Sequence, residues 1–269
     1  PEGLKRIASR VHHRAEVFAA GLRQLGLAPA PAVTFDTVTV DVGAQQGTIL
    51  AALDRARINV RVIDGRTLGV SMGENTTVAD VSDLLDAFHG GRAHGLDLEA
   101  IARAVDARYD ERFARTSGYL AHPVFHKYHS ETEMLRYMRK LESRDLSLTH
   151  SMIPLGSCTM KLNASAEMYP VTWREVGGLH PFAPRAQAKG YGAMFVRLEK
   201  ALAEVTGFSA VSLQPNAGSQ GEYAGLLVIR AFHRARGQGH RTVCLIPQSA
   251  HGTNPASAVM AGMSVVVVK

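Results

Sequence analysis

Three polar stretches hold the side chains best suited to chemistry. The first is Gln214-Pro-Asn-Ala-Gly-Ser-Gln-Gly-Glu222. It falls between an apolar run and a helical pattern, and Gly218 and Gly221 permit close backbone approach. A helix N-terminus there offers free N–H groups and a partial positive charge, which receive a phosphate well. Ser219 and Gln220 can add side-chain bonds to it; the plainer reading is a tight turn with a Ser cap. The stretch lacks the Gly-Lys-Ser/Thr ending of a nucleotide-triphosphate loop and the G-x-G-x-x-G of a dinucleotide site. The second is Ser249-Ala-His-Gly-Thr-Asn-Pro255, which brings His251, Thr253 and Asn254 together. A flat imidazole suits stacking on an aromatic ring and an amide suits a ring hydroxyl; a turn with a solvent-facing His fits equally well. The third is Gly156-Ser-Cys-Thr-Met-Lys-Leu-Asn163. Its Cys158 is a nucleophile or an inert buried thiol, and its Lys161 a Schiff-base former or a surface or anion-binding charge. His122, His126 and His129 invite a zinc reading, but no H-E-x-x-H is present and Pro123 opposes a helical first turn, so no metal site is expected.

The elements that must position these groups follow from periodicity. Leu4, Ile7, Val11, Val17, Leu22 and Leu25 fall at helical spacing, with Gly26 as a stop. Val33, Phe35, Val38, Val40 and Val42 alternate as in a half-buried strand. A helix over 48–57, strands over 59–63 and 67–71 around the Asp64-Gly65 turn, and a helix over 78–88 capped by Thr76 or Thr77 complete a small α/β layer domain. Gly90, Gly91 and Gly95 mark a linker, followed by helical stretches over 96–115 and over 131–141, the latter with Ser130 as its cap. Pro170, Pro181 and Pro184 punctuate a loop-rich passage before a helix over 191–205. Beyond it the pattern predicts strand 210–213, helix 218–236, strand 242–246, a loop over 248–255 leading to a short helix, and strand 263–268. Alternation-free strands joined by helices signify a parallel sheet with crossovers, and ligands bind such sheets at the carboxyl ends of strands.

With 269 residues, 46% hydrophobic and 20% charged, the chain can build one large or two modest cored domains. No apolar run has membrane-spanning length. The net charge of +6 is spread without a basic run, so no nucleic-acid partner is expected, while an anionic cofactor or an acidic protein fits. Two cysteines, Cys158 and Cys244, fit a reducing compartment. There is no signal-peptide pattern and no initiator Met, and both ends read as internal cuts.

Taken in chain order, Pro123-Val-Phe-His-Lys-Tyr-His-Ser-Glu-Thr-Glu133 followed by the third, first and second stretches resembles the succession of motifs in the glycine decarboxylases, the P-proteins of the glycine cleavage system, and the chain resembles that family over its whole length. The resemblance implies an incomplete fold type I, aspartate aminotransferase-like pyridoxal-phosphate fold. Residues 1–115 would be the small domain and tail of a first half; residues 116–269 would begin the parallel-sheet large domain of a second, cofactor-binding half.

The implied reaction is pyridoxal-phosphate-dependent decarboxylation of glycine, with the aminomethyl group passed to the lipoyl arm of the H-protein. By position, Gly218, Ser219 and Gln220 would hold the cofactor phosphate and His251 would stack on its ring. Thr253 and Asn254 would support the cofactor or the substrate carboxylate. Ser157, Cys158 and Thr159 would lie near the substrate or the lipoyl arm. The family's Schiff-base lysine is expected downstream of Lys269, so the chain by itself is expected to be inactive. A homodimer at full length and a bacterial cytoplasm, or a mitochondrial matrix if eukaryotic, are implied too. The alternative is a non-catalytic phosphate-binding or regulatory module derived from such an enzyme. The reading frame after Lys269 separates the two.

Overall fold

The computed structural model describes residues 1–29, 35–109, 111–144 and 164–269. Contacts divide the chain into two compact units, Pro1–Leu162 and Asn163–Lys269.

In the first unit, helix α1 (Glu2–Gln24) precedes strand β1 (Thr37–Asp41), helix α2 (Gln46–Arg55), strands β2 (Arg61–Val62) and β3 (Thr67–Ser71), helix α3 (Val78–Phe88) and a short helix α4 (Leu98–Ala104). The three strands form an antiparallel sheet in the order β1-β3-β2. Val38 and Val40 are buried while Thr37 and Asp41 face out, as the alternation predicts. The β2–β3 turn is set by Asp64, whose Oδ1 accepts the N–H groups of Arg66 and Thr67 at 2.9 and 2.8 Å. Phe18, Leu22, Ile49, Leu53, Leu68, Leu85 and Phe88 fill the core, with Phe18 and Phe88 edge to face at 5.5 Å. At Gly21 a Cβ would lie 2.8 Å from the Leu85 methyls, so α1 carries a glycine where it presses on α3. α3 starts with a capping box: Thr77 Oγ1 accepts the Asp80 N–H, and the Asp80 carboxylate accepts the Thr77 N–H.

Two expectations change here. The strand expected over 33–42 spans Thr37–Asp41 in the described residues; Val33 lies outside them. The helix expected over 96–115 is only α4, because Val105 turns extended (φ −70°, ψ 129°) and the next residue, Asp106, takes the Arg108 N–H on its side chain at 3.1 Å. That local bond competes with helix propagation. Helix α5 (Glu131–Glu142) follows, with Ser130 and Glu133 forming the expected cap as a reciprocal box. Ahead of it, His122 Nδ1 accepts the Val124 N–H and His126 Nε2 contacts the Leu120 carbonyl. Among the described residues no group of three or more metal-ligating side chains converges.

The second unit carries α6 (Ser165–Thr172), α7 (Arg174–Gly177), α8 (Lys189–Thr206), α9 (Gly218–Ala235), β4 (Val243–Pro247), α10 (Thr253–Met260) and β5 (Ser264–Val268). β4 and β5 pair in parallel, from Val243 opposite Ser264 to Pro247 opposite Val268, with α10 as the crossover. Residues 210–213, expected to be a third strand, are irregular. A strand exists only against a neighbour, and these residues have none among the described strands. Of the nonpolar side chains in this unit, only Ala258 and Ala261 are fully buried, and Leu245 and Val267 on the sheet are 66% and 60% exposed.

Candidate functional site

The first and second polar stretches meet at one end of α9. Gly218, Ser219 and Gln220 are the first three residues of this 18-residue helix, and Ala217 gives it no side-chain cap. No acidic residue sits in its first turn. Four N–H groups at such an end have no intrahelical acceptor, so a partly positive end is left open to an anion. A Cβ at Gly218 or Gly221 would meet no protein atom within 4 Å, so the space beside this end is free. Gln220 turns back over the entry to the helix, its Oε1 accepting the Asn216 N–H at 2.6 Å. The side-chain oxygen thus orders the turn, and the NH2 group, the part of the amide that can donate to a phosphate, takes no part in this bond.

His251 stands on the loop after β4. Gln248 N–H bonds to the Val268 carbonyl at 2.8 Å, Ala250 N–H to Pro247, and Asn254 N–H to His251, so the loop is two successive turns beyond the strand end. This agrees with placement at the carboxyl end of a strand for the His251 loop. The 214–217 turn, which has no strand before it, does not share that placement. The His251 ring is exposed, and its Nδ1 accepts the Thr253 N–H at 3.2 Å. A ring nitrogen that accepts carries no proton, so in the neutral ring the proton sits on Nε2.

Thr253 and Asn254 do not stand free. The Thr253 hydroxyl donates to Glu222 Oε1 at 3.3 Å and Asn254 Nδ2 donates to the same oxygen at 3.2 Å. The buried Ser257 hydroxyl donates to Glu222 Oε2 at 3.4 Å. Glu222 sits four residues beyond Gly218, about 6 Å along the helix axis. The His251 loop and the open amides of α9 are therefore within a turn of each other. Sequence reasoning gave Glu222 and Ser257 no role. The available signal was that Gly218, Ser219, Gly225 and Leu226 occupy the positions three and four residues away, leaving this acid no cationic partner on its own helix. Ser157, Cys158, Thr159 and Lys161 lie outside the described residues.

The family model for the glycine cleavage system P-protein matches residues 1–88. The whole chain is 58% identical to a protein of Bradyrhizobium diazoefficiens named glycine dehydrogenase (decarboxylating), over 269 residues and 28% of that protein's length. Proteins of the same name from Rhodopseudomonas palustris and Nostoc punctiforme are 58% and 55% identical, again over the whole chain and over 27% and 28% of their lengths. The chain thus spans little more than a quarter of the relatives it matches.

Proposed function

Since this chain belongs to the glycine cleavage system P-protein family, we propose that the full-length protein is a pyridoxal-phosphate-dependent glycine decarboxylase. It passes the aminomethyl group to the lipoyl arm of an H-protein, and the present residues form part of its cofactor cradle. The observation that carries this reading is the uncapped, acid-free start of α9 tied through Glu222 to the His251 loop.

The donor set fits the cofactor. Amides at the start of α9, joined by the Ser219 hydroxyl, suit a doubly charged phosphate. The exposed imidazole of His251 suits the face of a pyridine ring, with Nε2–H left to donate outward. Bound pyridoxal phosphate supplies the electron sink for loss of carbon dioxide from glycine. The protein's part is to anchor the phosphate, fix the ring plane and keep the reacting bond aligned with it. Asn254 and Thr253, held on Glu222, orient the loop from behind. Ser157, Cys158 and Thr159 stay assigned to the surroundings of the substrate or lipoyl arm. The Schiff-base lysine belongs to another part of the full-length protein. The boundary between family halves is placed near residue 115, and the full-length protein is read as a homodimer of the bacterial cytoplasm. Among the described residues no helix is long and apolar enough to cross a membrane.

In the full-length protein, His251→Ala is expected to weaken pyridoxal-phosphate binding by about tenfold, the equivalent of roughly 1.4 kcal/mol. It should lower exchange of the glycine carboxyl carbon with bicarbonate in parallel. Unchanged affinity and exchange would remove the stacking role.

A further inference from the structure

Glu222, Leu226 and Arg230 form one stripe of α9, each four residues from the next. Glu222 accepts from Thr253, Asn254 and Ser257 at the start of α10, and Arg230 donates to the Ala261 carbonyl just past its end. Eight residues separate both pairs, 222 to 230 and 253 to 261, about 12 Å on either helix. α9 and α10 therefore run parallel and in step, stapled at both ends. Gly262, at φ +76°, lies under the Arg230 guanidinium, where a Cβ would collide with it.

We infer that Glu222 is a positioning residue for the cofactor, an inference that rests on the reading of this site as a pyridoxal-phosphate cradle. The Thr253 hydroxyl has one proton and two acceptors in reach, Glu222 Oε1 at 3.3 Å and His251 Nδ1 at 3.1 Å. A carboxylate is the stronger acceptor, so the proton goes to Glu222. The Thr253 N–H then remains as the one donor aimed at Nδ1, which sets both the tautomer and the plane of the His251 ring. Glu222 thus couples the end of α9 that receives the phosphate to the loop that meets the ring. Without it, water can satisfy the half-buried Thr253 and Asn254, and the Ser257 hydroxyl can turn to the carbonyl four residues back. The fold survives and the aim is lost.

The test compares Glu222→Ala and Glu222→Gln in the full-length protein stripped of cofactor and titrated with pyridoxal phosphate. Gln keeps the network: its Oε1 faces Thr253 and Asn254, and its Nε2 donates to the Ser257 oxygen. Glu222→Ala is expected to raise Kd about tenfold and Glu222→Gln about twofold or less, with apoprotein melting points within about 2 °C of wild type. At saturation, the visible circular dichroism of the bound cofactor should weaken only in Glu222→Ala. Wild-type affinity and dichroism in Glu222→Ala, equal losses in both variants, or a matching fall in apoprotein stability would each overturn the positioning role. Failure of the wild type itself to bind pyridoxal phosphate would overturn the reading of the site beneath it.

Discussion

Asp80 and Glu222 are both carboxylates held by hydroxyls and amides, yet they do different work. Asp80 closes the start of α3, and the Thr77 N–H, at 2.6 Å, holds its carboxyl below the usual aspartate range. The bonds of Asp64 to the Arg66 and Thr67 backbone lower its pKa in the same direction. Groups whose folded pKa is depressed stabilise the fold fully above their unfolded value, roughly 3.9, and lose that contribution as pH falls through the lower folded value. The first unit should therefore unfold progressively more easily below about pH 4. Asp80→Asn should flatten that acid dependence while lowering stability at neutral pH, as read by denaturant unfolding followed across pH. An acid dependence unchanged by the substitution would show that other carboxylates set it. In the core, Phe88→Ala removes a fully buried ring packed on Phe18 and should cost about 3–5 kcal/mol, measured by the same unfolding.

At the level of elements, the open start of α9 invites a substitution that separates stability from binding. Ala217→Asp supplies the missing cap and a negative charge at the positive end, and should stabilise the helix by about 0.5–1 kcal/mol. The same charge repels a phosphate, so affinity for pyridoxal phosphate should fall as the melting point rises; a gain in both would argue against an anion at this end. Helices α1, α3, α5 and α9 were legible to within a residue or two, because an apolar stripe is a local signal, as are the caps that α3 and α5 add to it. Where local signals competed with one another or depended on distant partners, legibility failed. Asp106 could not be seen to take the Arg108 N–H, and residues 210–213 look like a strand only if something pairs with them. The start of α10 at Thr253 falls inside a stretch read as loop, and its first residues are bound by Glu222, a contact across 31 residues of chain.

Across the whole molecule, the two units differ in how much they bury. The first holds one contiguous apolar cluster, drawn from α1 to α4 and the three-stranded sheet. The second leaves Phe182, Val205 and Phe208 mostly exposed and buries almost nothing. Limited proteolysis of the isolated chain should cut first within 164–269 and leave a resistant piece containing residues 1–104; early cleavage within α1 or α3 would contradict this. The candidate site was legible as two motifs, since glycines before a helix and a His-Gly-Thr-Asn turn carry their chemistry in their own residues. The acid that joins them was hidden, because its partners lie far along the chain. The same exposure has a practical side at β5. Val265-Val-Val-Val268 has high β-propensity, no charge and no proline, and three of its side chains are open to solvent. When the isolated chain is concentrated, this strand is the segment most apt to recruit its own copies into cross-β aggregates, and a charge at Val267 would act as a gatekeeper.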